Sequence, residues 1–132
     1  MIRRPPRSTL DRSSAASDVY KRQGLPTVRE NDGLAVSSRN AYLTSEQRVA
    51  APILFRALSA ARDRYRSGGR DAIALEVGFR SLIATEPRID SVDYVALVDS
   101  DSFEIWRGRG PCLMIAAARI GRVRLLDNVT LD

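Results

Sequence analysis

The hydrophobic positions between residues 44 and 85 recur at intervals of three and four, which predicts two amphipathic helices. The first begins at Thr44, which forms a capping box with Gln47, and ends before the Gly68-Gly69 pair. Its predicted buried face consists of Val49, Ile53, Leu54, Ala57, Leu58, Ala61 and Tyr65. The second spans residues 71–85, and its predicted buried face consists of Ala72, Leu75, Phe79, Leu82 and Ile83. Because the connection is short, we expect an antiparallel helical pair.

From residue 91 onwards the pattern changes to a period of two, which predicts three β-strands. In the first strand four alternate residues are expected to share one face of the sheet: Val92, Tyr94, Ala96 and Val98. The second contains the run 112–118, which is apolar on both faces and therefore belongs at the centre of the sheet. Gly121-Arg122 predicts a two-residue type II′ turn into the third strand, residues 123–131. The predicted fold is a small α+β domain with a helical pair packed on a three-stranded antiparallel sheet.

The basic character of the chain is concentrated at its start. Residues 1–23 contain six basic and two acidic side chains, a net charge of +4, whereas the remaining residues together carry +1. The segment has few apolar residues and no periodicity, which predicts a disordered tail. It also resembles translated sequencing-adaptor read-through, and we interpret it as a sequencing or assembly artefact preceding a domain at 24–132. On this interpretation the natural protein begins before Gly24, and deleting the tail leaves the melting temperature of the domain unchanged.

Several conspicuous residues indicate structure rather than chemistry. Cys112 is the single cysteine, it lies in an apolar strand and the chain has no histidine to activate it, so we expect a buried thiol. One cysteine is compatible with a reducing, cytoplasmic location. Trp106 lies among arginines, but a single aromatic is more often an anchoring side chain than a base-stacking platform. The Asp127-Asn128 pair predicts hydrogen bonding at a sheet edge. No apolar run reaches the roughly 18 residues of a membrane-spanning helix, so we expect no membrane partner.

A short polar loop lies between the extended segment that begins at Pro26 and the first helix. Ser37, Ser38 and Arg39 place two hydroxyls and a guanidinium side by side, and Gly33 upstream offers a hinge for closure. Hydroxyls donate to phosphate oxygens, and a guanidinium donates two parallel charge-assisted hydrogen bonds. The residue types therefore suit phosphate binding, although on composition alone a polar connection between two elements is the simpler interpretation.

The loop and its surroundings resemble a known enzyme family. Pro26-Thr-Val-Arg-Glu, then Gly33-Leu-Ala-Val-Ser-Ser-Arg-Asn and Tyr42-Leu, is similar to the start of the C-terminal domain of pantothenate synthetases (pantoate–β-alanine ligases). Its Ser-Ser-Arg segment resembles that family's counterpart of the mobile KMSKS loop of class I aminoacyl-tRNA synthetases. The resemblance runs from about Gly24 to Asp132. It implies the C-terminal lid domain of a Rossmann-like adenylate-forming ligase. The N-terminal domain is then absent, because the family's histidine-containing nucleotide motif cannot occur in a chain without histidine.

The resemblance also implies a reaction and roles for individual residues. The family condenses pantoate with β-alanine, through pantoyl adenylate, to give pantothenate, AMP and pyrophosphate. By this analogy Ser37, Ser38 and Arg39 hold the phosphates of ATP as pyrophosphate leaves. Val36 completes the phosphate-binding segment, and Val28 lies against the adenine through its backbone. The resemblance further implies ATP as substrate, Mg²⁺ as cofactor, a cytoplasmic homodimer of the full-length enzyme, and no activity for this chain alone.

Two other interpretations stay open from the sequence. A genuine basic tail would make the chain a nucleic-acid-binding module whose affinity falls steeply with salt. Alternatively, the chain is a non-catalytic interaction domain that kept the lid architecture and lost ligase function. The genomic sequence upstream of residue 24 would distinguish them, since a Rossmann-type domain with a histidine motif there favours the ligase.

Overall fold

The computed structural model describes residues 27–132, so the predictions made for residues 1–23 lie outside the described residues. After a 3-10 helix, Ser38–Tyr42, the described chain forms three α-helices and then three strands. The helices are α1 (Ser45–Ala50), α2 (Ile53–Arg66) and α3 (Ala72–Ile83), and the strands are β1 (Ser91–Asp99), β2 (Cys112–Ile120) and β3 (Val123–Leu131). The predicted α+β architecture is confirmed, with α2 and α3 packed on an antiparallel sheet.

The sheet has the order β1-β2-β3, which confirms the prediction that the apolar second strand is central. Strands β2 and β3 form a hairpin in which Ile120 pairs with Val123 across the turn. Gly121 has a φ of +59°, and Arg122 is not among the described residues with positive φ. A positive φ at the first turn residue only is the property of the predicted type II′ turn.

The predicted face of β1 is wrong at one position. The register between β1 and β2 shifts between Val92 and Tyr94, so Val92 pairs with Ala118 whereas Tyr94 pairs with Ala117. A β-bulge inserts one residue, and side chains before and after it no longer follow a single alternation. Val92 consequently packs against the hydrophobic core on the helix side of the sheet, while Tyr94 lies on the opposite face.

The region predicted as one helix from Thr44 to Gly68 is two helices, interrupted at Ala51-Pro52. Proline has no N–H to donate to the preceding turn, and its ring crowds that turn, so the helical hydrogen bonding is broken there. The buried stripe does not continue through the break, and Val49, predicted to be buried, is 76% exposed. The remainder of the predicted face, from Ile53 to Tyr65, is buried.

The helix signals themselves are confirmed. The Thr44 hydroxyl accepts from the Gln47 amide at 3.1 Å, and the Gln47 side-chain oxygen accepts from the Thr44 amide at 2.9 Å, which completes the capping box. The α2 helix ends before Gly68, whose φ is +107°. Three residues of α3 are buried, Leu75, Phe79 and Ile83, while Ala72 and Leu82 pack at the edge of the core.

The loop between β1 and β2 is anchored by Trp106. The side chain is buried, and its indole N–H donates to the carbonyls of Arg109 and Gly110, each at 3.1 Å. The Tyr65 hydroxyl donates to the same Gly110 carbonyl at 3.1 Å, and the two rings lie 5.9 Å apart. The anchoring role predicted for Trp106 is confirmed, and its ring is not available to stack on a base. Within residues 27–132 no helix is both long and apolar enough to cross a membrane.

Candidate functional site

The chain enters the described structure through a small hairpin, residues 28–36. The Val36 amide donates to the Val28 carbonyl at 2.9 Å, and the Glu30 amide donates to the Leu34 carbonyl at 2.8 Å. The turn closes with the Gly33 amide donating to the Glu30 carbonyl at 3.0 Å. Gly33 has a φ of +96°, as expected for the left-handed residue that follows the turn in a three-residue hairpin loop.

Arg29 attaches this hairpin to the sheet. Its Nη1 atom donates to Asp127 Oδ2 at 2.6 Å and to the Gly33 carbonyl at 3.1 Å, while Nη2 donates to the Asn128 carbonyl at 3.0 Å. The guanidinium also lies over the Phe55 ring, 4.0 Å from its centroid. One side chain therefore connects the hairpin, strand β3 and helix α2.

Asp127 is a buried carboxylate, with 2% of its side chain exposed. Burial raises the pKa of Asp127, and the Arg29 guanidinium together with the Asn128 amide offsets part of that effect. Asp127 Oδ1 accepts from the Asn128 amide at 2.7 Å. The predicted hydrogen bonding of the Asp127-Asn128 pair on the edge strand is thus confirmed.

The Ser37–Arg39 segment follows the hairpin directly. The Ser37 hydroxyl accepts from the Arg39 amide at 3.1 Å, so Ser37 caps the 3-10 helix and keeps its own hydroxyl proton free to donate. The Asn40 side-chain amide donates to the Ala35 carbonyl at 3.0 Å, which holds the helix against the hairpin. The side chains of Ser37, Ser38 and Arg39 are exposed.

A cleft of about 620 Å³ lies between the hairpin, the 3-10 helix, α2 and β3. Four of the five residues predicted for the site line it, namely Val28, Val36, Ser37 and Arg39, together with residues of α2 and β3 that include Phe55, Arg124, Leu126 and Asp127. Ser38 is exposed and is not among the lining residues. The structure thus brings most of the predicted set together, and the role of each residue stays a prediction.

The cleft combines positive charge with exposed apolar surface. Val28 and Val36 are 72% and 52% exposed, and the arginines among the lining residues are Arg39 and Arg124. Asp127 is the carboxylate among the lining residues, and Arg29 neutralises it. Among the described residues, the lining therefore suits a ligand with an anionic part and a flat apolar part.

The reasoning from sequence missed Arg29, Phe55 and Arg124 as parts of this region. A signal was available for the first. Asp127 occupies an inward-facing position of an alternating strand, and a carboxylate at a core position needs a cationic or hydrogen-bonding partner. The sequence pattern contained no comparable indication for Phe55 or Arg124, because their place at the cleft depends on how α2 and β3 pack.

Cys112 does not contribute to this site. Burial raises the pKa of its thiol to about 12, and the side chain is fully buried in β2. The predicted structural thiol is confirmed.

Comparison with known proteins gives one consistent result. A family model described as pantoate-beta-alanine ligase matches residues 18–130. The pantothenate synthetase of Rhizorhabdus wittichii is 50% identical over 110 residues, which make up 83% of this chain and 38% of that protein. The pantothenate synthetase of Roseiflexus sp. is 45% identical over 127 residues, or 96% of this chain and 44% of that protein.

Solved structures agree with the sequence relatives. The crystal structure of pantoate-beta-alanine ligase (pantothenate synthetase) from Thermus thermophilus superposes with a TM-score of 0.72 at 40% identity, covering 80% of this chain. It also covers 38% of that structure. The chain therefore spans about two fifths of the length of the relatives it matches.

Proposed function

The chain belongs to the pantoate–β-alanine ligase family, and from that premise we propose that it forms the phosphate-binding side of an ATP-dependent ligase site. In the complete enzyme the carboxylate of pantoate attacks the α-phosphate of ATP, which releases pyrophosphate and forms pantoyl adenylate. The amine of β-alanine then attacks the activated carbonyl and displaces AMP, giving pantothenate. Residues 24–132 are, in this proposal, the C-terminal lid domain of that cytoplasmic, homodimeric enzyme, which acts on small molecules rather than on nucleic acid or membranes.

The observation that supports the proposal is the composition of the cleft. Ser37 and Arg39 lie on one side of it, and the exposed side chains of Val28 and Val36 lie on the same hairpin. Arg39 makes no ion pair with another residue of the described part, whereas Asp127 is paired with Arg29. A polyphosphate is a suitable partner for an exposed arginine beside serine hydroxyls, and a flat base suits the two valines.

Each proposed residue has a defined task in the first step. Negative charge moves onto the departing pyrophosphate, and donors already aimed at that position lower the barrier. Arg39 provides a planar pair of donors, and Ser37 can donate its hydroxyl proton because its oxygen already accepts from the Arg39 amide. We assign Ser38 to the same anion, reached after a closing movement of the loop.

Magnesium enters the proposal only as part of the Mg–ATP substrate. No group of three or more acidic, histidine or cysteine side chains suited to a metal occurs within residues 27–132. Asp127, the carboxylate among the described lining residues, has one oxygen on Arg29 and the other on the Asn128 amide. These residues do not fit a protein-held magnesium site, and we assign none of them to the metal.

A gene fusion tests the proposed function. The part of the Rhizorhabdus wittichii pantothenate synthetase that precedes its matching region is joined to residues 24–132, and pantoate-dependent AMP release is measured. We expect activity that requires both pantoate and ATP. The matched control carries Arg122→Ala, which removes an arginine that is exposed at the β2–β3 turn and is not among the lining residues, and it should keep that activity. A folded fusion without pantoate-dependent AMP release would instead favour the non-catalytic interaction domain.

A further inference from the structure

We propose that Arg29 and Asp127 act as a latch that positions the Ser37–Arg39 loop for phosphate binding. The inference rests on the function proposed above, but it concerns residues that do not touch the phosphates. Both are positioning residues, and the latch is defined as the Arg29–Asp127 pair with the contacts that each side chain makes.

The first step of the argument is that Arg29 has a single, fully specified position. Both protons of Nη1 are used, one on Asp127 Oδ2 and one on the Gly33 carbonyl, and Nη2 donates to the Asn128 carbonyl. The Phe55 ring covers one face of the guanidinium. A planar fork held on four sides fixes direction as well as distance, which a lysine ammonium cannot do.

The second step is that the latch occupies the open edge of the described sheet. At Asn128 of β3 the amide donates to Asp127 Oδ1 and the carbonyl accepts from Arg29. Side chains thus supply the acceptor and the donor that a neighbouring strand would otherwise supply. The hairpin is docked against β3 through these two side chains, in a register set by individual atoms.

The third step connects the latch to the loop. Arg29 lies opposite Ala35 in the hairpin, and the Val36 amide donates to the Val28 carbonyl. Ser37 follows at once, and the Asn40 side chain holds the 3-10 helix to the Ala35 carbonyl. The position of Arg29 therefore determines where Ser37 and Arg39 stand relative to β3, which forms the other side of the cleft.

The fourth step concerns why an ion pair is used. A buried ion pair contributes little net stability, because desolvation of both charges opposes their attraction, and an apolar pair of equal volume often packs as stably. What the apolar pair lacks is direction. The latch is suited to placing a loop accurately, and its loss should affect phosphate binding more than folding.

The sign of one effect separates positioning from electrostatics. Asp127→Asn removes a negative charge from the cleft lining, so charge alone predicts tighter binding of a polyanion. Loss of the latch predicts weaker binding. We therefore titrate the full 132-residue chain with ATP and follow the Arg39 amide resonance, for the wild type, Asp127→Asn and Arg29→Lys. Glu76→Gln is the control, since it neutralises a carboxylate paired with Arg80 on α3.

We expect the titration midpoint to rise by about threefold or more in Asp127→Asn and in Arg29→Lys, and to stay the same in Glu76→Gln. Hydrogen exchange of the Val36 amide should accelerate by about tenfold in both latch variants, while amides of the central strand keep their protection. Equal or tighter ATP binding in both variants, with unchanged Val36 exchange, would overturn the latch. If the wild type shows no ATP-dependent shift at Arg39, phosphate binding by this chain is refuted, and Val36 exchange alone decides whether the latch exists.

Discussion

Arg39 is the residue on which the proposed chemistry depends most. In the active fusion described above, Arg39→Ala should lower kcat/KM by an amount equal to about 2–4 kcal/mol of transition-state stabilisation, because a donor aimed at the departing pyrophosphate is lost. Arg39→Lys should recover only part of the loss, since a point charge does not reproduce the planar fork. Steady-state AMP release measures both. A near-normal rate of pantoyl adenylate formation in Arg39→Ala would remove Arg39 from the phosphate site.

Gly33 is required in the hairpin turn for two separate reasons. Its φ is +96°, and a Cβ atom added to it would lie 2.3 Å from the Phe55 ring. Gly33→Ala should therefore destabilise the domain by about 2 kcal/mol or more in urea unfolding, part from the left-handed backbone and part from the collision. Whether Gly33 is also a hinge, as proposed from the sequence, stays a prediction.

A second glycine separates the two contributions. Gly110 has a φ of +73°, and a Cβ added there meets nothing within 4 Å. Gly110→Ala should show the backbone effect alone, about 1 kcal/mol. Equal destabilisation in the two variants would mean that the Phe55 ring moves aside without resistance.

Cys112 should be chemically inert in the folded chain. Its thiol is buried with a pKa of about 12, whereas an unfolded cysteine ionises at about pH 8.5. Raising the pH above that value ionises only the unfolded state, so the thiol's contribution to stability is present at neutral pH and declines towards pH 12. A thiol reagent at pH 8 should label nothing without denaturant and one group with it. Rapid stoichiometric labelling of the native chain would contradict this.

At the scale of elements, the break between α1 and α2 makes the capping box important. The six residues of α1 are too few to form a stable helix alone, so its hydrogen-bonded start matters. Thr44→Ala should lower the free energy of unfolding by about 1 kcal/mol, because the Gln47 amide loses its acceptor. Thr44→Ser keeps the acceptor and should stay close to wild type. If serine is as unfavourable as alanine, the hydroxyl is not the stabilising group.

The bulge in β1 shows how one element can change the surface of the whole sheet. Before it Val92 faces the helices, and after it Val95 and Leu97 do so, which leaves Tyr94 and Ala96 on the opposite face. Without the extra residue, the second half of the strand would point the wrong side chains into the core. The bulge therefore reconciles a strand whose apolar residues do not follow one strict alternation.

At the scale of the molecule, we expect this chain alone not to make pantothenate. It contains no histidine, and its cleft offers a loop that can hold ATP from one side while most of the nucleotide stays solvated. Binding should be weak, with a Kd of about millimolar or higher. The chain is incubated with ATP, magnesium, pantoate and β-alanine, and AMP is assayed against a blank without enzyme. Pantoate-dependent AMP above the blank would show that the catalytic centre lies within these residues.

The elements of this protein were predictable from its sequence because their signals act over a few residues. The Thr44–Gln47 capping box, the glycines after α2, the II′ turn at Gly121 and the apolar central strand each depend on neighbours along the chain. The same holds for the Ser37–Arg39 segment, which was found as a local run of residue types and by its family resemblance.

Tertiary structure alone decided what lies against that segment. Arg29 and Asp127 are 98 positions apart, and only the docking of the hairpin on β3 brings their charges to 2.6 Å. The break at Pro52 and the bulge in β1 likewise set which side chains are buried, since each changes the phase of a pattern that otherwise continues. Local chemistry specified the parts, and long-range packing specified which of them share the cleft.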